Sequence, residues 1–211
     1  MNDTLLRFHK NQKYLVLDVE AESLNLCLAR PWEIGYIVCT QNKILVENCD
    51  FIFLEDLNIS ADAARITRFD YNLYRQKAKD AKKVFDEFSK YLYDPDVIVV
   101  GQNILNYDGY IIQNFRRALG LKPDWSFINR VIDTRALSFA IQKSVKTVDH
   151  NDLYCWQMRY MHARERGIKT SLESLLKNYS IPYDKDQHHN SLWDSQMTKE
   201  VFFKQIYEIE I

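Results

Sequence analysis

The four cysteines, Cys27, Cys39, Cys49 and Cys155, show no C-x-x-C spacing, so neither a zinc site nor a disulfide framework is indicated. A reduced setting, cytoplasmic or otherwise intracellular, fits that usage. No segment approaches the apolar length needed to cross a bilayer. Residues 1–13 are polar and mixed in charge, without the apolar centre of a signal peptide. Net charge is nearly absent: 28 basic against 29 acidic residues leave −1. That balance argues against a protein that coats nucleic acid through a general field. It leaves room for an enzyme that holds a polyanion locally through metals. No repeat, low-complexity tract or linker interrupts the 211 residues. One domain with a sizeable core is therefore expected, spanning residues 1–211. Its 46% hydrophobic and 27% charged content is that of an ordinary soluble protein.

What is present is an alternation of short apolar runs and helical repeats. Strands are expected over residues 13–19, 32–40 and 43–54, with Gln41-Asn42 as a tight hairpin between the last two. Residues 80–92 repeat apolar side chains at helical spacing (Ala81, Val84, Phe85, Phe88, Leu92) and stop before Pro95. Val97 to Val100 reads as a buried strand bounded by Gly101, and residues 106–119 as a helix ended by Gly120. Another strand over 130–132 runs into a helix over 134–142, followed by helices at 153–166, at 172–178 behind Thr170 or Ser171 as cap, and at 191–207. Hairpin-linked strands followed by strands alternating with helices imply a mixed α/β sheet with helices on both faces.

The most informative stretch is Asp18-Val19-Glu20, at the end of the apolar run Tyr14-Leu15-Val16-Leu17. Alternation along a strand points both carboxylates the same way, roughly 6.6 Å apart. Two anions that close raise each other's pKa unless a cation sits between them. Alone, the pair reads more readily as a solvated strand end. Asp108 follows Gly101-Gln102-Asn103, where a buried strand exits into a helix, the place where open α/β sheets build sites. Asp194 lies near the start of the last helix, with His189 just before it. Each also has an ordinary use as a helix-start acid or a loop histidine.

Taken in order, these segments resemble the DnaQ-like DEDDh 3′→5′ exonucleases, a family that includes polymerase proofreading subunits, RNase T-type enzymes and oligoribonucleases. The first motif matches Asp18-Val19-Glu20, with Trp32 to Val38 as the following strand. The second matches Gly101-Gln102-Asn103 through Asp108, and the third matches His189 and Asp194. Ile132-Asp133-Thr134 and Ser171 to Leu176 look like connecting segments. Asp18 begins the only D-x-E in the chain, and His189 is the only histidine with aspartate five positions later. The sister class carries tyrosine four positions before the final aspartate, where this chain has Asn190. The resemblance implies a ribonuclease H-like fold, a mixed five-stranded sheet flanked by helices, with residues 143–169 as a variable insertion.

It also implies roles. Asp18 would bridge two ions, Mg²⁺ or Mn²⁺. Glu20 and Asp194 would complete the nucleophile-side ion, and Asp108 would hold the second. His189, favoured over its neighbour His188, would take the proton from attacking water. The products would be 5′-mononucleotides released from the 3′ end of a nucleic acid, with single-stranded DNA favoured and RNA an alternative. A catalytically silent binding module of the same fold is the reading from another class. Ala21, Glu22, Asn103 and Tyr107 are the expected substrate contacts. Relatives often carry threonine and glycine where Ala21-Glu22 stand, and histidine where Gln102 stands. Tyr107, Trp193 and Phe69 are candidates to stack a base. Arg159, Arg164, Arg166 and Lys169, mixed with Trp156 and Tyr160, offer a strip for a strand backbone, diluted by Asp152 and Glu165. Asp133 reads as a helix cap, and Asp184 and Asp186 as members of a solvated loop. The chain ends right after its last helix, which leans towards a stand-alone enzyme; oligomeric state is not legible.

Overall fold

A two-residue alternation organises the sheet. In the computed structural model, which describes residues 5–211, β1 (Lys13–Ala21) turns Leu15, Leu17 and Val19 to one face and Tyr14 and Val16 to the other. Residues 1–4, and with them the start of the expected polar N-terminal stretch, lie outside the described residues. The chain continues through β2 (Pro31–Cys39), β3 (Ile44–Phe53), α1 (Ala61–Thr67), α2 (Tyr71–Lys77), β4 (Lys79–Asp80) and α3 (Ala81–Leu92). Then come β5 (Val97–Gly101), α4 (Asp108–Ala118), β6 (Val131–Asp133), α5 (Thr134–Gln142), α6 (Leu153–His162), α7 (Leu172–Asn178) and α8 (Ser191–Gln205). The strands form one mixed sheet in the order β4-β3-β2-β1-β5-β6. β2 runs antiparallel to β1 and β3, while β5 lies parallel to both β1 and β6 across helical connections.

Each face carries its own core. Leu15, Leu17, Val19, Ile34 and Tyr36 pack against Val84, Phe85 and Phe88 of α3 and Ile111, Ile112 and Phe115 of α4. Tyr14, Val16, Ile37, Val100 and Ile132 pack against Leu137 of α5, Trp156 of α6 and Phe202 of α8. Burying one such side chain fully contributes about 1.5–3 kcal/mol. The even-numbered row of β1 thus reads Tyr14, Val16, Asp18, Glu20: two side chains in the core, then two carboxylates where it gives out under α8.

The expected α/β sheet with helices on both faces is present, and so is the Gln41-Asn42 turn, closed by the Thr40 amide donating to the Lys43 carbonyl at 2.8 Å. The strand count is six rather than five. The addition is β4, two charged residues whose only pairing is with Ile52 and Phe53, too short to leave a periodic signal. Helices α1 and α2 were not expected either; each is seven residues long and starts at a side-chain cap, Ser60 or Asp70. α4 begins at Asp108 rather than 106, because Asn103 adopts a left-handed conformation (φ 66°) and its carbonyl takes the Asn106 and Tyr107 amides in a turn. α6 stops at His162, four residues short of the expected end, where Ala163 turns extended. No helix among the described residues is long and apolar enough to cross a membrane.

Candidate active site

Four carboxylates meet where the core ends. Asp18, half-buried, and Glu20, buried, come from the end of β1, and Asp194 from the first turn of α8. Oxygens from these three lie within 4.8 Å of one another. Asp108, the first residue of α4, is buried beside them, and its Oδ1 accepts the Val19 amide at 3.0 Å. The carboxylate is thereby fastened to the strand that carries the first pair.

The seat of α8 on β2 fixes Asp194. The Ser191 amide and hydroxyl both donate to Glu33 Oε1, at 2.9 and 2.6 Å, and Ser195 Oγ donates to the Gly35 carbonyl at 3.0 Å. A Cβ at Gly35 would lie 2.2 Å from the Leu192 nitrogen, so only glycine admits this approach. Asn190 caps the helix by accepting the Trp193 amide at 3.0 Å.

Burial pushes the Asp18 and Glu20 carboxyls well above the usual range, and neighbouring carboxylates push them further. Burial likewise pushes Asp108 up to about 7, against the pull of hydrogen bonds from backbone amides. Among the described residues, no lysine or arginine forms an ion pair with any of the four; the one such partner is His188. An all-oxygen nest without a resident cation, flanked by imidazole, is a donor set that fits hard divalent ions such as Mg²⁺ or Mn²⁺.

Two histidines close the nest from a loop. His188 Nδ1 lies 2.9 Å from Asp194 Oδ1, and the His189 amide donates to Asp194 Oδ2 at 3.1 Å. The imidazoles stack at 3.9 Å with 27° between planes, and His189 adopts a left-handed backbone (φ 66°). The hydrogen bond to Asp194 raises the His188 pKa, whereas burial and then His188 lower that of His189. Both rings line the cleft, and it is His188 whose ring engages the aspartate. Arg68, the left-handed residue ending α1, ties this loop down. Its guanidinium donates to the Asp186 carbonyl at 2.6 Å and the Lys185 carbonyl at 3.3 Å, and lies 3.6 Å from the Asp186 carboxylate.

The cleft has a volume of about 360 Å³. Of the expected substrate contacts, Ala21, Asn103 and Tyr107 line it. Asn103 is held by its amide on Asp133 Oδ1 (3.0 Å) and by Arg135 donating to its Oδ1 (2.7 Å); the Tyr107 hydroxyl donates to the Ser23 carbonyl (2.9 Å). Glu22 does not reach the cleft. Its carboxylate takes the Arg30 guanidinium at 2.6 and 2.9 Å and the Asn58 amide at 3.0 Å, and its own amide donates to the Arg30 carbonyl. Neither a free charge nor a free donor of Glu22 therefore faces a substrate.

Asp133 caps α5, as its position suggested, and also takes the Asn103 and Leu105 amides, shaping the turn that delivers Asp108. Gln102 bridges to the segment leading into α7, donating to the Thr170 carbonyl at 2.7 Å while accepting Thr134 Oγ1 at 2.5 Å. Phe69 packs edge-on against Trp32, and Trp193 against Tyr183; neither lines the cleft. Trp156 is buried, and of the four cations in the expected strip only Arg159 lies on α6, so no helix face interleaves them with an exposed aromatic at that position. Asp184 and Asp186 are exposed. One wall escaped sequence reasoning: Ser60, Asp62, Ala63, Ile66 and Thr67, from α1 and its cap. The Ser60 cap three residues before Ala63 was the available signal.

The profile of the family described as Exonuclease matches residues 15–202. No curated protein sequence matches. Among solved structures, E. coli Exonuclease I in complex with a dA16 oligonucleotide superposes with a TM-score of 0.73 at 15% identity, over 94% of this chain and 41% of that one. The zinc-bound form of the E. coli ExoI–ssDNA complex gives a TM-score of 0.70 at 16% identity, over 91% and 40%. A product-bound exonuclease I gives 0.67 at 15% identity, over 92% and 43%. The chain thus spans about two fifths of the length of the solved chains it resembles.

Proposed function

This chain belongs to the exonuclease family, and from that premise we propose that it is a metal-dependent 3′→5′ exonuclease releasing 5′-mononucleotides, with single-stranded DNA as the weakly preferred substrate. We take residues 1–211 as one catalytic domain, with 143–169 as its variable insertion. The observation that carries the reading is the convergence of Asp18, Glu20 and Asp194 oxygens within 4.8 Å, with Asp108 fastened beside them and imidazoles at the rim. The solved complexes of E. coli Exonuclease I with dA16 and with ssDNA support a single strand as the ligand.

Asp18, Glu20, Asp108 and Asp194 would hold two divalent ions, Mg²⁺ or Mn²⁺. When bound, such ions supply positive charge to a phosphodiester under attack and to its leaving oxygen. The chain's own residues do the rest. A ring nitrogen of His189 takes the proton of the attacking water, a role suited to an imidazole kept neutral by burial. His188 Nδ1 stays on Asp194 and holds that carboxylate in place while its ring supports His189 by stacking. Ala21, Asn103 and Tyr107 flank the terminal nucleotide.

The test is a side-by-side digestion of 5′-labelled single-stranded DNA, duplex DNA and RNA, with Mg²⁺ or Mn²⁺ and an Asp18→Ala control. Ladders shortening from the 3′ end, lost with chelator or with the variant, are the expected result. Stronger cutting of RNA would move the substrate to the alternative of an exoribonuclease. No cutting of any strand would favour a silent binding module.

A further inference from the structure

We propose that His188, His189 and Asp194 form a second metal site, suited to a nitrogen-preferring ion such as Zn²⁺, whose occupation shuts the catalytic centre. Among the described residues, two groups of side chains bring three metal-ligand atoms within 4.8 Å of one another. One is Asp18, Glu20 and Asp194, the oxygen nest; the other is His188, His189 and Asp194. The inhibition rests on the nuclease reading above, whereas the binding of the ion does not.

The two groups differ in chemistry. Oxygen donors suit Mg²⁺ and Mn²⁺, while imidazole suits Zn²⁺, which such sites bind more tightly than Mn²⁺. Two imidazoles and one carboxylate are the protein ligands of a zinc centre with an open fourth position. No cysteine takes part, so cysteine spacing held no sign of it.

Consecutive side chains on an extended chain point to opposite sides. Here the two imidazoles stack instead, with centroids 3.9 Å apart and 27° between planes. His188 Nδ1 already lies 2.9 Å from Asp194 Oδ1. Two ligands of a tetrahedral ion, each about 2.0–2.1 Å from it, stand about 3.3 Å apart. An ion therefore replaces the proton of this contact once it opens slightly, and the displaced proton passes to solvent. Both rings are half-buried and line the cleft, so an ion reaches them from there.

An ion held this way takes a ring nitrogen of His189, the proposed base, and an oxygen of Asp194 that the nucleophile-side ion needs. Occupation of the two sites is therefore antagonistic. Mg²⁺ favours oxygen ligands and does not displace Zn²⁺ from imidazole. Scarce Zn²⁺ thus halts turnover in the presence of abundant Mg²⁺.

The test pairs binding to metal-free protein with Mg²⁺-driven digestion of a labelled strand. Zn²⁺ affinity is measured by competition with a chromophoric chelator, and the visible spectrum of Co²⁺ reports the ligands. His188→Ala and His188→Gln are each expected to weaken Zn²⁺ binding by more than about tenfold, while Asp18→Asn, which alters only the oxygen nest, keeps it. The Zn²⁺ concentration that halves each protein's own rate is expected to rise by a similar factor in His188→Ala. Equal Zn²⁺ affinity in native protein and both His188 variants, with matching circular dichroism melts, overturns the site. So does loss of binding in Asp18→Asn alone, which would assign the ion to the oxygen nest. Binding that depends on His188 in a protein that cuts no strand leaves the metal site standing and removes the nuclease. Cutting that Zn²⁺ halts alike in native protein and His188→Ala does the reverse.

Discussion

Four carboxylates and two imidazoles share one cleft, yet they are held by different kinds of structure. The carboxylates stand on a strand end and two helix starts. Asp108 is bound to the Val19 amide, and Asp194 is seated through Glu33, Gly35, Ser191 and Ser195. The imidazoles ride on a loop whose tether to the opposite wall is Arg68. The rigid part is the one that must hold like charges together against their repulsion. The looser part is the one that must admit a substrate and move a proton.

The rigid part is most sensitive at Asp18. Asp18→Asn is expected to lower kcat by more than about 10⁴-fold, since charge for both ions is lost together. Next come the histidines, which separate catalysis from support. His189→Ala is expected to cost about 10²–10³-fold in kcat, the scale of a lost general base, and His188→Ala about tenfold. Full activity in His189→Ala with loss in His188→Ala would exchange their roles. Steady-state kinetics on one labelled strand decides both.

Arg68 tests the tether itself. Arg68→Ala is expected to lower kcat about tenfold with little change in KM, and to speed amide exchange over residues 184–190 while β1 and α8 stay protected. Arg68→Lys, which keeps one donor for the carbonyls, is expected to restore part of the rate. Unchanged exchange in the loop would show that the histidines are held by Asp194 alone.

The difference between the two regions also explains what could be read in the chain. Asp18 and Glu20 were legible because strand alternation places them in the row begun by Tyr14 and Val16. Asp133 was legible as a cap because capping is local. Glu22 was not, because its partner Arg30 is fixed by the turn between β1 and β2 and not by any periodicity. The wall from α1 was hidden in a seven-residue helix with no buried side chain. The contact of His188 with Asp194 was not legible for a similar reason. The spacing of five singles out His189, but the backbone at His189 is left-handed and it is the preceding ring that meets Asp194.

The carboxylate nest also makes stability depend on pH, by a modest amount. Asp108 in the folded protein titrates at about 7, above its ordinary value of 3.8, because burial penalises its charge. The folded state therefore holds that proton more tightly than the unfolded chain does. Its contribution to stability is complete below about pH 4 and is lost as pH rises through about 7. Asp18 and Glu20 shift in the same direction and add to the slope. Metal-free protein is thus expected to melt roughly 5 °C lower at pH 8 than at pH 5. Mn²⁺ is expected to recover that loss at pH 8 and to do little at pH 5, where protons already occupy the nest. Thermal melts with and without chelator measure it, and Asp18→Asn places the origin of the slope, since removing one of the crowded charges flattens it. An unchanged slope in that variant would move the pH dependence out of the carboxylate nest and onto the histidine loop, where the His188–Asp194 contact also weakens as the imidazole loses its proton.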